Sequence, residues 1–207
     1  MIYEIGMDDV LYERAIKEKE KIIYANETNI DDIECEGLKK KSLHRCLYKN
    51  MLFSEWPNVE FYYDSQKANI GLEWLGNIYD WPIIHKKLMN RLIEMEVSGV
   101  EYYPIKLIDK RTGSLNSDYV LMYVRNFIEA YDMEESEYDY IEKMNVYVFK
   151  PHGIVMNQDE CSKYDIFRCN KFVSIIYVSQ RVRDEIISNG WAGLKTTETR
   201  GGRYCCG

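Results

Sequence analysis

The chain has 207 residues, of which 46% are hydrophobic and 14% are aromatic, and its formal net charge is -7. A chain of this length and composition buries about 70% of its unfolded surface, which excludes a disordered protein. The acidic charge argues against unaided binding of nucleic acid or anionic membranes, because both need clustered Lys and Arg, and it accommodates a basic protein partner more easily.

The chain shows no basic-then-apolar leader and no apolar run near the roughly 20 residues of a membrane-spanning helix. We therefore expect a cytoplasmic protein. Its six cysteines form no CxxC pair and share no metal-ligand spacing with the three histidines. Free thiols in a reducing compartment follow, and no cofactor or metal is expected.

The N-terminal region combines one clear apolar segment with a polar connection. Ile2 to Ile5 predicts an initial strand, whereas the mixed pattern from Asp8 to Ala25 leaves helix and strand both open. Residues 26–41 are polar and charged, as is typical of a surface connection. They end in Lys39-Lys40-Lys41, for which solvated surface is favoured over a phosphate-binding patch.

The middle of the chain predicts strands around one helix. Val59 to Tyr63 alternates apolar and polar residues like a half-buried strand. Pro82 suits the first turn of a helix, where its missing N–H costs nothing. Val100 to Ile108 predicts one long strand, joined by a hairpin to Tyr119–Val124, which is apolar on both faces and therefore central in a sheet.

The strongest local signals lie between Tyr164 and Thr197. Phe172 to Val178 predicts a strand, and Ser179 is a suitable N-cap for the helix that follows. The helix has an apolar face that ends at Ile186 and Ile187, and Asn189-Gly190 then stops it. A last strand starts at Gly193-Leu194.

The same pattern occurs 94 positions upstream without gaps. The residues equivalent to Val178, Val182, Ile186 and Ile187 are Ile84, Leu88, Leu92 and Ile93. Any two amphipathic helices followed by Gly and a strand align to some extent, so the match predicts two similar helix-to-strand units without establishing a duplication.

Strands outnumber helices, and several neighbouring strands are connected as hairpins. These features predict an α+β fold with a mostly antiparallel mixed sheet, a few flanking helices and the two similar helix-to-strand units. We expect an N-terminal elaboration over residues 1–56, a core domain over 57–198 and a flexible tail over 199–207.

Linear signatures of catalysis are missing, including GxGxxG after a strand, the P-loop, GxSxG, HExxH and zinc-ribbon spacings. His44 and Cys46 are too close in sequence to make a reliable nucleophile and base, and structural roles are favoured for them. His85 lies near a helix start, where a solvent-facing role is expected, and His152 belongs to a turn. Cys205 and Cys206 are expected to be inert exposed thiols.

The densest acidic segment runs from residue 132 to 142, and we predict it as the partner-binding surface. A divalent metal site is less favoured there, because the segment lacks the glycine and the ligand ladder of a calcium loop. A solvated acidic face and a decoy surface for a basic partner are the two other interpretations. The six carboxylates are Asp132, Glu134, Glu135, Glu137, Asp139 and Glu142.

Several motifs together resemble the immunity-protein family number eleven of bacterial polymorphic-toxin systems. The closing signature combines Asp165-Ile166-Phe167-Arg168, Val178-Ser179 and Gly190-x-x-Gly193-Leu194. Upstream, Gly99 to Pro104 is similar to the family's "G-V-E-F-x-P" strand, and Asp118 to Asn126 is similar to its "Y-x-L-x-N-V" strand. The segment Ala130-Tyr131-Asp132-x-x-x-Ser136 is similar to "A-L-D-x-x-x-S". Tyr3-Glu4-Ile5-Gly6 is similar to the family's usual start. Residues 26–56 match nothing in the family pattern.

The resemblance implies a non-enzymatic cytosolic antidote, encoded beside a protein toxin, which binds that toxin and blocks it. It supplies no catalytic residues. The chain departs from the pattern with Val124-Arg125-Asn126 in place of Asn-Val and with Gln180-Arg181-Val182 in place of Glu-Arg-Leu. These changes leave the implied fold intact but do not indicate which toxin is recognised.

Two other functions stay open at this point. An enzyme for a small polar substrate would need a deep pocket with two or more convergent ionisable groups assembled across the sheet. An adaptor module without a toxin partner would retain the fold but use it differently.

Overall fold

The structure is a computed structural model that describes residues 1–33, 43–47, 49–144, 146–150 and 153–199, without the side chains of residues 45 and 46. Its α-helices span Asp9–Glu18 (α1), Leu43–Leu47 (α2), Lys86–Glu94 (α3), Gln158–Cys161 (α4) and Gln180–Ser188 (α5). Strands β1 to β8 span Ile2–Met7, Tyr24–Ala25, Glu27–Thr28, Glu60–Tyr63, Gly76–Asn77, Ile83–His85, Val100–Pro104 and Lys106–Asp109. Strands β9 to β16 span Leu115–Asn116, Tyr119–Val124, Phe127–Ile128, Tyr138–Ile141, Val146–Phe149, Ile166–Cys169, Phe172–Ser179 and Leu194–Thr199. The predicted α+β class with mostly antiparallel pairing is confirmed.

One five-stranded sheet has the order β11-β14-β15-β1-β16. β1 lies between β15 and β16 and is antiparallel to both, which confirms the predicted initial strand. Ser179 caps α5 as predicted, because its hydroxyl accepts a hydrogen bond from the Val182 N–H at 3.4 Å. Gly190 follows the helix with a φ of +63°, a conformation that glycine adopts without strain. We call this sheet with α5 the second half.

A second set of strands has the same arrangement. β10 lies between β6 and β7, antiparallel to both, and all six of its residues are buried, as predicted for a central strand. The chain leading into β5 pairs with β6, since the Leu75 N–H donates to the Ile83 carbonyl at 2.8 Å. β5 in turn pairs in parallel with β2. The order β2-β5-β6-β10-β7, with α3, defines the first half.

The two halves agree residue by residue. α3 and its N-cap His85 lie 94 positions before α5 and its N-cap Ser179. The central strands are related by a shift of 117 in the opposite direction, so that Val120 pairs with Ile84 as Tyr3 pairs with Val178. The predicted pair of helix-to-strand units is therefore present, and it is part of a larger equivalence. The second half takes its central strand from the beginning of the chain.

A shared inner core joins the halves. Its buried members include the equivalent pairs Ile84 and Val178, Leu88 and Val182, Leu92 and Ile186, Tyr3 and Val120, and Ile5 and Met122. The guanidinium of Arg91 contacts the carboxylate of Glu185 at 2.8 and 3.1 Å, and these two residues are also 94 apart. A residue that meets its own equivalent lies near an approximate two-fold axis, which here passes between α3 and α5.

Each half also has an outer core on the other face of its sheet. The first half packs Leu121 and Tyr123 against Leu43 and Leu47 of α2. A further sheet in the order β3-β4-β8-β9 contributes to this core through Phe61. In the second half the outer core contains Ile2, Ile128, Phe167 and Tyr177 of the sheet, packed against Ala130, Tyr131, Met156 and Cys161.

Three details of the sequence prediction are wrong. The long strand from Val100 to Ile108 is broken at Ile105, because β7 pairs with β10 whereas β8 pairs in parallel with β4. Pro82 precedes β6 and its carbonyl accepts from the Met122 N–H at 2.9 Å, so the helix begins only at Lys86.

The third error concerns the last apolar residue assigned to the buried faces of α3 and α5. Ile93 and Ile187 are 54% and 53% exposed, whereas their neighbours Leu92 and Ile186 are buried. Successive helical residues are rotated by about 100°, and in both helices this rotation places Ile93 and Ile187 beyond the edge of the buried face.

Some predictions lie outside the described residues. They concern Lys39-Lys40-Lys41, the side chain of Cys46, His152, Cys205-Cys206 and the tail from residue 200 onward. The division into residues 1–56 and 57–198 stays a prediction.

Candidate functional site

A two-stranded ribbon of β12 and β13 carries part of the acidic segment. The strands are antiparallel, with Tyr138 opposite Phe149 and Tyr140 opposite Tyr147. No other described strand pairs with either of them. Since neither edge of the ribbon pairs with another strand among the described residues, both edges are open to pairing with another polypeptide.

One face of the ribbon is aromatic and anchors it to the second half. The Tyr138 ring lies 5.2 Å from the Tyr147 ring and 5.7 Å from that of Phe149. Phe149 lies 5.0 Å from Tyr131, whose hydroxyl is 2.8 Å from the hydroxyl of Tyr177 in β15. Burial raises the pKa of Tyr177, so this pair is a neutral hydrogen bond that supports the base of the ribbon.

The opposite face, which we call the outer ribbon face, is formed by Asp139, Ile141, Val146 and Val148. Ile141, Val146 and Val148 are 41%, 41% and 45% exposed, and Met144 at the turn is 68% exposed. Sequence reasoning missed these residues as a surface. The available signal was that β13 is apolar at consecutive positions, which in a two-stranded ribbon leaves one apolar face without cover.

The six carboxylates predicted as partner-binding residues lie in the segment that leads into β12, in β12 itself and directly after it. Five of them are exposed and Asp132 is half-exposed. Asp132 also shapes the chain, because its Oδ1 accepts hydrogen bonds from the Glu134 and Glu135 N–H groups at 3.0 and 3.1 Å. The segment is thus a fixed turn followed by a strand.

Ionic contacts divide the acidic residues into two groups. Asp139 forms an ion pair with Lys150 across the ribbon. Glu134, Glu135 and Glu142 form no ion pair with any described residue. Their charges are available to a partner.

The histidines that the structure describes have structural contacts. Nδ1 of His44 accepts a hydrogen bond from the Trp81 indole N–H at 2.9 Å. His85 is the N-cap of α3, and its Nδ1 accepts from the Lys87 N–H at 3.0 Å. Burial, with Lys87 nearby, lowers the pKa of His85, which keeps the imidazole neutral and able to accept this bond. His85, predicted to face solvent, is half-exposed and also caps the helix.

The two described cysteines are free and buried. Burial raises the pKa of Cys161 to about 12 and also raises that of Cys169. A thiol of high pKa is a weak nucleophile, because the thiolate is the reactive form. Their packing in the outer core of the second half accounts for both residues.

The outer faces of the two halves differ in how much of the sheet is covered. In the first half, Trp56 stacks on Tyr103 with ring centroids 4.3 Å apart, and Phe53 lies 5.9 Å from Tyr123. At the equivalent positions of the second half stand Thr197 and Gly6. Thr197 is exposed, and apart from the neighbours of Gly6 in the chain, no atom of the described residues lies within 4 Å of the position that a Gly6 Cβ would take.

A cleft of about 280 Å³ occupies this uncovered part of the second half. Its lining includes Glu4, Gly6, Arg168, Lys195 and Thr197. A second cleft of about 380 Å³ lies beside β2 and is lined by Tyr24, Glu27, Tyr63, Lys67, Lys110 and Arg111 among others. Lys110 pairs with Glu27 there at 2.5 Å.

The sequence matches the model of the immunity protein family Imm11 over residues 6–200. The chain belongs to the Imm11 family. This range includes the first half, the ribbon and the second half from Gly6 onward, so the predicted family is confirmed. Immunity proteins of this kind are generally non-enzymatic, and their partners are protein toxins. A comparison with curated proteins finds no match to this Imm11 member. No helix among its described residues is long and apolar enough to cross a membrane.

Proposed function

We propose that this Imm11 member is a cytoplasmic, non-enzymatic antidote that binds a cognate bacterial toxin and neutralises it by covering its surface. The observation that carries the proposal is the ribbon, whose outer face exposes three aliphatic side chains beside carboxylates that no described cation neutralises. Apolar residues kept in contact with water are costly unless a partner buries them.

The ribbon surface combines the two features that tight inhibitors use. Ile141, Val146 and Val148 supply apolar area that would be removed from water at the centre of a contact. Glu134, Glu135 and the other acidic residues around them favour a toxin with a basic surface. Charge complementarity of this kind raises the association rate and selects the partner.

The test uses the toxin encoded beside this chain, produced with and without the Imm11 protein. Growth should be rescued by the wild-type chain. Replacing Glu134, Glu135 and Glu137 together by Gln should lower the association rate roughly tenfold at low salt and less at 0.5 M salt, because steering is screened. The rates are measured by surface plasmon resonance.

A matched control removes the same charge elsewhere. Glu13, Glu18 and Glu20 are exposed on or just after α1. Their triple replacement by Gln should leave the association rate within about twofold of wild type. Equal slowing by both triple variants would assign the effect to net charge and remove the acidic segment from the contact surface.

A further inference from the structure

Because the two halves share one arrangement of strands and helix, comparing their outer faces shows which covering residues the second half lacks. In the first half, residues 43–47 and 49–56 cover the outer face at the ends of β7 and β10. Leu47 of α2 packs beside Leu121 and Tyr123, and the Tyr123 hydroxyl donates to the Met51 carbonyl at 3.1 Å. Only about 10 Å³ of free space remains there. The same position in the second half is the cleft of about 280 Å³.

The residues at the two positions differ in chemistry. Leu121 and Tyr123 of the first half correspond to Glu4 and Gly6 of the second half through the strand registers. The aliphatic side chain of Leu121 is thus replaced by the carboxylate of Glu4, and the aromatic ring of Tyr123 is replaced by the open space at Gly6. An apolar element like α2 would leave the carboxylate without a partner, so an occupant of this cleft must carry a polar or cationic group.

The Glu4 carboxylate is half-buried and receives no hydrogen bond from any described residue. Burial raises its pKa, and Lys195, the cation that opposes this effect, is itself paired with Asp9. The charged side chains lining the cleft are Glu4, Asp9, Asp80, Arg168 and Lys195, which leaves one negative charge in excess. The cleft therefore favours a cation.

We propose that the cleft between Glu4, Gly6 and Thr197 receives one lysine or arginine side chain of the toxin, with Glu4 as its carboxylate partner. The proposal rests on the proposed function, because the toxin supplies the side chain. The long apolar stem of Lys or Arg fits beside Ile175 and Ile176, and its charged end reaches the carboxylate. The contact would add a second attachment point to that of the ribbon.

The first test needs no toxin. n-Butylguanidinium and its neutral isostere n-butylurea are titrated into the full chain, and backbone amide shifts are followed by NMR. The guanidinium should give saturable shifts at Glu4, Gly6 and Thr197, which butylurea does not give. The shifts should disappear in Glu4→Gln and persist in Glu198→Gln, an exposed carboxylate on the same sheet. Equal shifts with both fragments, or shifts that survive Glu4→Gln, would overturn the cation site.

The second test uses the toxin encoded beside the chain. Gly6→Tyr copies Tyr123 of the first half into open space, so the fold should be retained while the cleft is filled. The Kd for the toxin should rise about 30-fold or more, as it should in Glu4→Gln, because a partly desolvated ion pair is lost. Gly6→Ala leaves the cleft open and should bind like wild type.

The outcomes separate the two proposals. If the wild type binds the toxin and Gly6→Tyr binds it with the same Kd, the cleft is not a contact site, but the proposed function stands. A wild-type chain that fails to bind the toxin would overturn the proposed function and, with it, the toxin as the source of the cation.

Discussion

The first and second halves share one framework but use their outer faces differently. In the first half, residues 43–47 and 49–56 and the sheet β3-β4-β8-β9 cover the strands with Leu, Phe and Trp side chains. In the second half, residues 129–144, 146–150 and 153–165 cover only part of the sheet, and β12 and β13 form the ribbon. The inner faces are alike because both must fill one core. The outer faces do not share this constraint, and partner binding is the function that we propose for the more open one.

The largest expected effect tests the contact between the halves. A Cβ at Gly193 would lie 2.4 Å from the Trp74 carbonyl oxygen, and the φ of Gly193 is +86°. Gly193→Ala should therefore destabilise the protein by about 3 kcal/mol, since strain and a backbone clash add. Urea unfolding measures the change.

Gly190 provides the control for that substitution. Its φ is also positive, at +63°, but a Cβ there would meet no atom of the described residues within 4 Å beyond its neighbours in the chain. Gly190→Ala should cost only about 1 kcal/mol, from backbone strain alone. Similar losses for both variants would show that the contact between Gly193 and Trp74 does not hold the halves together.

A smaller effect tests the cover on the first half. Trp56 stacks on Tyr103 and its indole N–H donates to the Pro104 carbonyl at 2.8 Å. Trp56→Ala should destabilise the protein by about 2 kcal/mol, less than for a fully buried aromatic residue because Trp56 is half-exposed. Thermal unfolding followed by tryptophan fluorescence or circular dichroism is suitable.

The equivalent position on the second half supplies the comparison. Thr197 corresponds to Tyr103 and is exposed, so Thr197→Ala should change stability by less than about 0.5 kcal/mol. A loss at Thr197 as large as at Trp56 would contradict the difference in cover between the two outer faces.

The smallest expected effect distinguishes the two helix caps. His85 and Ser179 cap α3 and α5 at equivalent positions, but only His85 titrates near neutral pH. The folded protein lowers the pKa of His85 from 6.5, so the unfolded chain takes up its proton first as the pH falls. His85 should therefore reduce stability on acidification from pH 7 to pH 5.

The substitution His85→Ser gives α3 in the first half the same N-cap residue that α5 has in the second half. Stability at pH 7 should change by less than about 1 kcal/mol, because Ser is also a good N-cap. The loss of stability between pH 7 and pH 5 should become smaller than in wild type, as measured by urea unfolding at each pH. A profile of unchanged slope would exclude His85 as a contributor to the acid sensitivity.

Local patterns predicted much of the repeated framework. The spacing of apolar residues identified α3, α5 and the buried strand β10, and Ser179, Gly190 and Gly193 marked the ends of elements. These signals depend on neighbours in sequence, where helix periodicity and capping act. The acidic segment was also visible as composition, although its role as a contact surface stays a prediction.

The sequence by itself determined the α+β class, the two helix-to-strand units and the immunity-protein resemblance, because each is encoded in short stretches with strong periodicity or motif order. Only the tertiary structure decided that β1 completes the second half, since Ile2–Met7 pairs with strands more than 160 residues away and follows no linear repeat. It likewise decided which of Leu92 and Ile93 faces the core and which outer face is covered. Burial of that kind is set by what packs opposite, and the opposing residues are distant in sequence.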